Sequence, residues 1–122
     1  MTMKTQNQNY KRGNVILVLF PHSDLRTAKT RPALIVQADD LGTDLSQYIV
    51  SMISSKMFRA DHPSRVAVRL SEIESQQSGL LSDSVVMCDN LATIAASEID
   101  RVIGNLPMNE INKALKHTLA LK

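Results

Sequence analysis

Six short apolar segments follow one another along this chain, separated only by polar or glycine-bearing breaks. They are VILVLF (Val15–Phe20), PALIVQ (Pro32–Gln37), YIVSMIS (Tyr48–Ser54), RVAVRL (Arg65–Leu70), SVVMCD (Ser84–Asp89) and DRVIG (Asp100–Gly104). Most are rich in Val and Ile, whose branched Cβ suits a pleated strand. RVAVRL alternates polar and apolar residues as a half-exposed strand does. LATI (Leu91–Ile94) continues the fifth segment after a bend. No helical pattern of roughly 10–15 residues alternates with these segments, so a parallel βαβ fold is excluded and an antiparallel barrel is expected. Pro32 fits as the first residue of its strand, where no ladder hydrogen bond is lost.

One helix is predicted, at the C-terminal end. Ile111, Ala114, Leu115, Thr118 and Leu119 recur at the spacing of a single helical face. Asn109, after Pro107, is the expected N-cap. SEID (Ser97–Asp100) reads as a capped single turn, and ESQQSG (Glu74–Gly79) as a mobile loop. The polar residues 1–10 read as a frayed tail before a domain spanning 11–122. With 3% aromatic residues and no Trp, the core must be aliphatic, and the six Met serve as gap-fillers. The single cysteine, Cys88, rules out an internal disulfide and a cysteine-rich zinc site; it reads as a small core residue and fits a cytoplasmic setting. No apolar run approaches the roughly 20 residues of a membrane helix, so no membrane partner is expected.

The residue inventory excludes several chemistries. His22, His62 and His117 are scattered, and no metal-ligand spacing appears. Four glycines form no phosphate loop, and there is no GxSxG elbow. No cofactor is expected. The formal charge of +2 is too small to announce a nucleic-acid partner; only local clusters, Lys11-Arg12 and the loop Arg26, Lys29, Arg31, concentrate cations. What remains is polar groups at strand ends. Arg31 opens one strand, Ser54 and Ser55 close another, and Asp89 closes a third. Gathered on one rim, these groups would suit phosphodiester transfer. A guanidinium stabilises phosphorane charge, a hydroxyl hydrogen-bonds a nonbridging oxygen, and a carboxylate or imidazole takes the proton of a ribose 2′-hydroxyl. RNA brings its own nucleophile, so the scission requires neither a metal nor an activated water.

The segments RGNVILVLFPHSDLRTAKTRPALIV, YIVSMISSK, SGLLSDSVVMCDNLATI and RVIGNLPMNEINKALKHTLAL resemble, in order, those of the MazF/PemK (Kid) toxins. The resemblance runs from about Arg12 to Leu121. It implies a small SH3-like antiparallel β-barrel, mainly β with a C-terminal helix. It also implies a homodimer, a cognate antitoxin partner, and metal-independent, sequence-specific cleavage of single-stranded RNA as the toxin of a type II toxin–antitoxin module. By the same resemblance, Arg31 is the arginine tied to transition-state charge and Ser54 takes the place of the family's catalytic Thr. Ser55 matches the following Ser, and Asp89 matches the carboxylate used as a base in PemK-type members. His22, in the loop bordering the RNA groove, is the other candidate base. Lys11, Arg12, Arg26 and Lys29 would contact phosphates, with Ser55 beside them, and Gly13 would let backbone approach the RNA. Three positions depart from the family pattern: Asn14 stands where an acid is common, Met87 where PemK-type members carry an arginine, and Asn90 where Gln is usual. The alternatives are a CcdB-like DNA gyrase inhibitor, which requires no arginine–hydroxyl pair, and a catalytically weakened RNA-binding relative.

Overall fold

The computed structural model describes residues 10–21 and 28–122. The expected N-terminal tail, His22 and Arg26 lie outside the described residues, apart from Tyr10. Six strands form one antiparallel sheet: β1 (Asn14–Pro21), β2 (Ala28–Ile35), β3 (Gln47–Ser54), β4 (Arg65–Val68), β5 (Ser84–Ala95) and β6 (Ile99–Asn105). Their order across the sheet is β4-β5-β3-β2-β1-β6. Helix α1 (Asn109–Leu119) follows. The mainly-β architecture is the one the apolar segments dictate.

The strands are apolar on both faces, and the sheet accordingly buries two clusters. One gathers Val15, Leu34, Ile53, Val68, Val86 and Cys88 with Leu106 and with Ile111 and Ala114 of α1. The other gathers Ile16, Val18, Ala33, Ile35, Val50, Ile94 and Ile99. Neighbours in sequence fall into opposite clusters, Val15 against Ile16 and Leu34 against Ile35, as the pleat requires. Each fully buried Val, Leu or Ile contributes about 1.5–3 kcal/mol relative to exposure. Beside Cys88 lies Ser51, fully buried, whose Oγ has no strong hydrogen-bond partner. Burial pushes the Cys88 thiol up, which fits a core residue rather than a reactive one.

The barrel is not closed by strand pairing. β4 and β6 are the two edges of the ladder, and the gap at β6 is filled by residues 77–79. The segment expected to be a mobile loop is instead pinned there. Asn105 N–H donates to the Gln77 carbonyl at 2.9 Å, Ser78 is fully buried, and Gly79 and Gly104 allow backbone to meet backbone. Glu74 and Ser75 belong to a 3-10 turn, Ile73–Ser75.

Two capping expectations resolve differently. Asn109 is the first helical residue rather than the cap, because Met108 takes the cap position without a side-chain bond. The turn before β6, Ala96–Glu98, is capped by Glu98, whose Oε1 accepts the Ala95 N–H at 2.8 Å. On α1, Ile111 and Ala114 are buried as expected, and Thr118 donates to Ser64 Oγ at 2.8 Å. Leu119 is instead half exposed. Among the described residues no helix is long and apolar enough to cross a membrane.

Candidate active site

β2 and β3 pair Ala33 with Met52 and Leu34 with Ser51. Two further steps in the same register set Arg31 opposite Ser54, just past the last paired residues. The result is one open groove of about 740 Å³ that both residues line. Leu17, Pro32 and Arg101 form a row across β1, β2 and β6, since Leu17 faces Pro32 on one side and Arg101 on the other. All three line the groove as well. The opposite wall is residues 79–82, the continuation of the pinned segment, and the floor includes Met52 and Met87.

The groove is basic. Arg31, Lys56, Arg59 and Arg101 line it, and among the described residues no Asp, Glu or His does. Arg101 is partly neutralised by its neighbour Asp100, at 2.6 Å. Ser54 Oγ accepts the Lys56 N–H at 3.1 Å. That bond occupies a lone pair, orients the hydroxyl and leaves its proton to be donated. Met87, standing where an arginine was expected by resemblance, is buried in the floor and supplies no charge. Directly across from it on β4 is Arg65.

The β3–β5 ladder slips between Ser51 and Met52, whose partners are Leu91 and Met87, so residues 88–90 leave the ladder. This is the expected bend. It turns Cys88 inward while Asp89 and Asn90 are exposed. Asn90 lines the groove; Asp89 does not. Asp89 is gripped by Arg65, through Nε at 3.3 Å and Nη2 at 2.8 Å. The hydrogen bonds from Arg65 hold its carboxyl below the usual aspartate value, against a smaller opposing effect of burial.

A pH dependence follows from this pair. The folded pKa of Asp89 lies below its unfolded value near 3.9. The stabilisation is therefore complete above that value and is lost as pH falls through the lower, folded one. The expected result is a thermal midpoint that declines with acid below about pH 4, and declines less steeply in Asp89→Asn. An identical acid limb in parent and variant would refute the assignment.

Several expected RNA contacts stand away from the groove. Arg12 is engaged within the fold: its N–H donates to Asp39 Oδ1 at 2.8 Å, Nε to the Val36 carbonyl at 2.9 Å and Nη2 to Asn112 Oδ1 at 2.7 Å. Gly13, at φ +95°, is buried in a turn, with its N–H on the Ile35 carbonyl and its carbonyl accepting Leu106 N–H. Both are accounted for by packing and turn geometry. Lys11 lines a separate small pocket with Asp39 and Asp40. Lys29 is exposed on β2, and Ser55 lines the groove as expected. Lys56, Arg59 and Arg101 were not singled out by sequence, although Lys56 directly follows Ser54-Ser55, and Asn90 was noted only as a departure from the family pattern.

Fold and site together describe a small antiparallel β domain that holds an arginine and a serine in one cationic groove. Residues 11–119 match the family model of PemK-like, MazF-like toxins of type II toxin–antitoxin systems, and the chain belongs to that family. No curated protein matches it by sequence. Among solved structures it is similar to a mycobacterial endoribonuclease in complex with its cognate antitoxin, at 25% identity and TM-score 0.70, covering 93% of this chain and 97% of that one. It is similar also to an endoribonuclease from mycobacteria, at 25% identity and TM-score 0.69, covering 93% and 94%. A MazE–MazF structure from Deinococcus radiodurans shares the fold at 15% identity and TM-score 0.70, covering 95% and 100%.

Proposed function

We propose that this toxin is a sequence-specific endoribonuclease that cuts single-stranded RNA without a metal, by attack of the substrate's own 2′-hydroxyl. The observation that carries the reading is the meeting of Arg31 and Ser54 in one groove whose charged lining residues, among those described, are all cations. The 2′-oxygen gives its proton to a base and attacks phosphorus, the P–O5′ bond breaks, the departing 5′-oxygen takes a proton from water, and a 2′,3′-cyclic phosphate and a 5′-hydroxyl result. Arg31 stabilises the extra charge of the phosphorane with its planar fork, and Ser54 donates its hydroxyl proton to a nonbridging oxygen. Lys56, Arg59 and Arg101 attract the flanking phosphates.

The proton of the 2′-hydroxyl requires a base that is free near neutral pH. Asp89 is a poor one, held by Arg65 and outside the groove. We assign the base to His22 and give Asp89 the structural task of holding the bend at 88–90. The reading includes a homodimer, a cognate antitoxin and a cytoplasmic setting; the mycobacterial endoribonuclease solved with its antitoxin supports the antitoxin.

The test is incubation of the protein with a mixed-sequence RNA in EDTA, beside Ser54→Ala, Ser54→Thr and His22→Ala. Cleavage by the parent and by Ser54→Thr is expected, with roughly 10- to 100-fold loss in Ser54→Ala, as a charge-assisted hydrogen bond is removed. His22→Ala should slow cleavage by about 10²–10⁴-fold, the usual contribution of a positioned base. RNA bound but uncut by the parent would mark a weakened binding relative. Intact RNA together with inhibited gyrase supercoiling would mark a gyrase inhibitor.

A further inference from the structure

Phe58 is 80% exposed at the middle of the 3-10 turn Met57–Arg59. A single exposed apolar side chain is ordinary, but three features set this one apart. The Arg59 guanidinium lies over its ring, 5.7 Å from the centroid. Arg59 itself lines the cationic groove, as does Lys56 on the other side of Phe58 in the chain. The turn is held in place rather than loose: Arg59 N–H reaches the Lys56 carbonyl at 3.0 Å, Ala60 N–H reaches the Met57 carbonyl at 3.0 Å, and Arg65 Nη1 reaches the Arg59 carbonyl at 3.2 Å. Arg65 is the residue that also grips Asp89, so one guanidinium ties this turn to the bend that presents Asn90.

We propose that Phe58 and Arg59 form a stacking subsite for an unpaired nucleobase, next to the phosphate-holding groove. This rests on the single-stranded RNA reading and adds to it the means by which a base flanking the scissile phosphate is held. A phenyl ring and a guanidinium plane are the surfaces on which splayed bases stack. Neighbouring Arg and Lys groups supply the phosphate contacts that bring the strand past them. A folded duplex would bury its base faces and gain nothing from this ring. A mounted, pre-ordered aromatic therefore favours a single strand over a double one, and a base face over backbone alone.

The chain contains no Trp, so F58W introduces a unique fluorophore at the subsite. The full chain carrying F58W is titrated with a short 2′-O-methyl RNA of mixed sequence, which lacks the nucleophile, and with an abasic strand of equal length and charge. Strong quenching by the first strand and little by the second is expected. F58A should bind the base-bearing strand about 10-fold more weakly, with an unchanged salt slope, because no charge is removed. Equal quenching by both strands, or unchanged affinity in F58A, overturns the subsite. F58A that keeps its RNA affinity but no longer dimerises would put the ring in a protein interface and overturn it too. Because the probe strand cannot be cut, these readouts do not depend on cleavage. A parent that cuts RNA while F58A binds as tightly sinks the subsite and leaves the ribonuclease reading standing. A parent that binds neither strand sinks both.

Discussion

Arg31→Ala is expected to lower the rate of RNA cleavage by about 10²–10³-fold or more, the loss typical of removing one preorganised donor from a developing oxyanion. The side chain is exposed at the start of the apolar part of β2, so its removal costs no core packing and the thermal midpoint should hardly move. The effect should fall mainly on kcat. Lys56, Arg59 and Arg101 remain in the groove to hold the ground-state phosphates, whereas the additional charge of the phosphorane faces the missing fork. Arg31→Lys keeps the charge and loses the bidentate geometry, so it should recover part of the rate and not all of it. Single-turnover cleavage, with binding followed separately on an uncleavable strand, makes the distinction. A variant that cuts as fast as the parent would remove Arg31 from the chemistry. A variant that loses binding and rate equally would reduce it to one phosphate contact among several.

The strands were legible in the sequence because their residues leave little choice. Val15-Ile16 and Leu34-Ile35 are branched and apolar, and side chains facing both ways must be buried on both faces. Ser54 was legible as a strand end, but Arg31 and Pro32 do not open theirs. β2 begins at Ala28 because residues 28–31 continue the ladder with β1, where Arg31 pairs with Val18. The resemblance supplied the partnership of Arg31 and Ser54. Side-chain pairing over distance was not legible. Arg65 meets Asp89 across 24 positions of sequence, and that contact pairs with a guanidinium the carboxylate that the resemblance offered as a base. Arg12 reaches Asn112 across 100 positions, which engages within the fold a cation that the resemblance offered to phosphate. Arg101 enters the site through its register with Leu17, a relation that periodicity does not encode. The segment 74–79 read as loose because it is polar. Its order comes from two glycines 25 positions apart, and glycine spacing carries no signal of its own.

Those glycines set the second large expectation: Gly104→Ala should destabilise the protein by about 2–3 kcal/mol or more, the upper part of the range for overpacking. A Cβ at 104 would fall on the Gln77 carbonyl oxygen and on the Ser78 carbonyl group, all of it backbone. No rotamer change relieves that clash; segment 77–79 has to back away from β6. Moving away stretches the bond from Asn105 N–H to the Gln77 carbonyl and uncovers the buried Ser78. The same displacement shifts residues 79–82, which form a wall of the groove, so RNA affinity should fall along with stability. Gly42→Ala is the control. Unlike Gly104 it has a positive φ, +80°, and the nearest atom its Cβ would meet is the Asp40 carbonyl oxygen at 3.9 Å. It should therefore cost only the backbone term of about 1–2 kcal/mol and leave the groove untouched. Denaturant unfolding and uncleavable-strand binding, measured on both variants, separate the two effects. If Gly104→Ala unfolds no more easily than Gly42→Ala and binds RNA like the parent, segment 77–79 rests on β6 without closing the barrel. If it loses both stability and affinity, the gap left by the unpaired edge strand is sealed by glycine contact, and the wall of the active site is part of that seal.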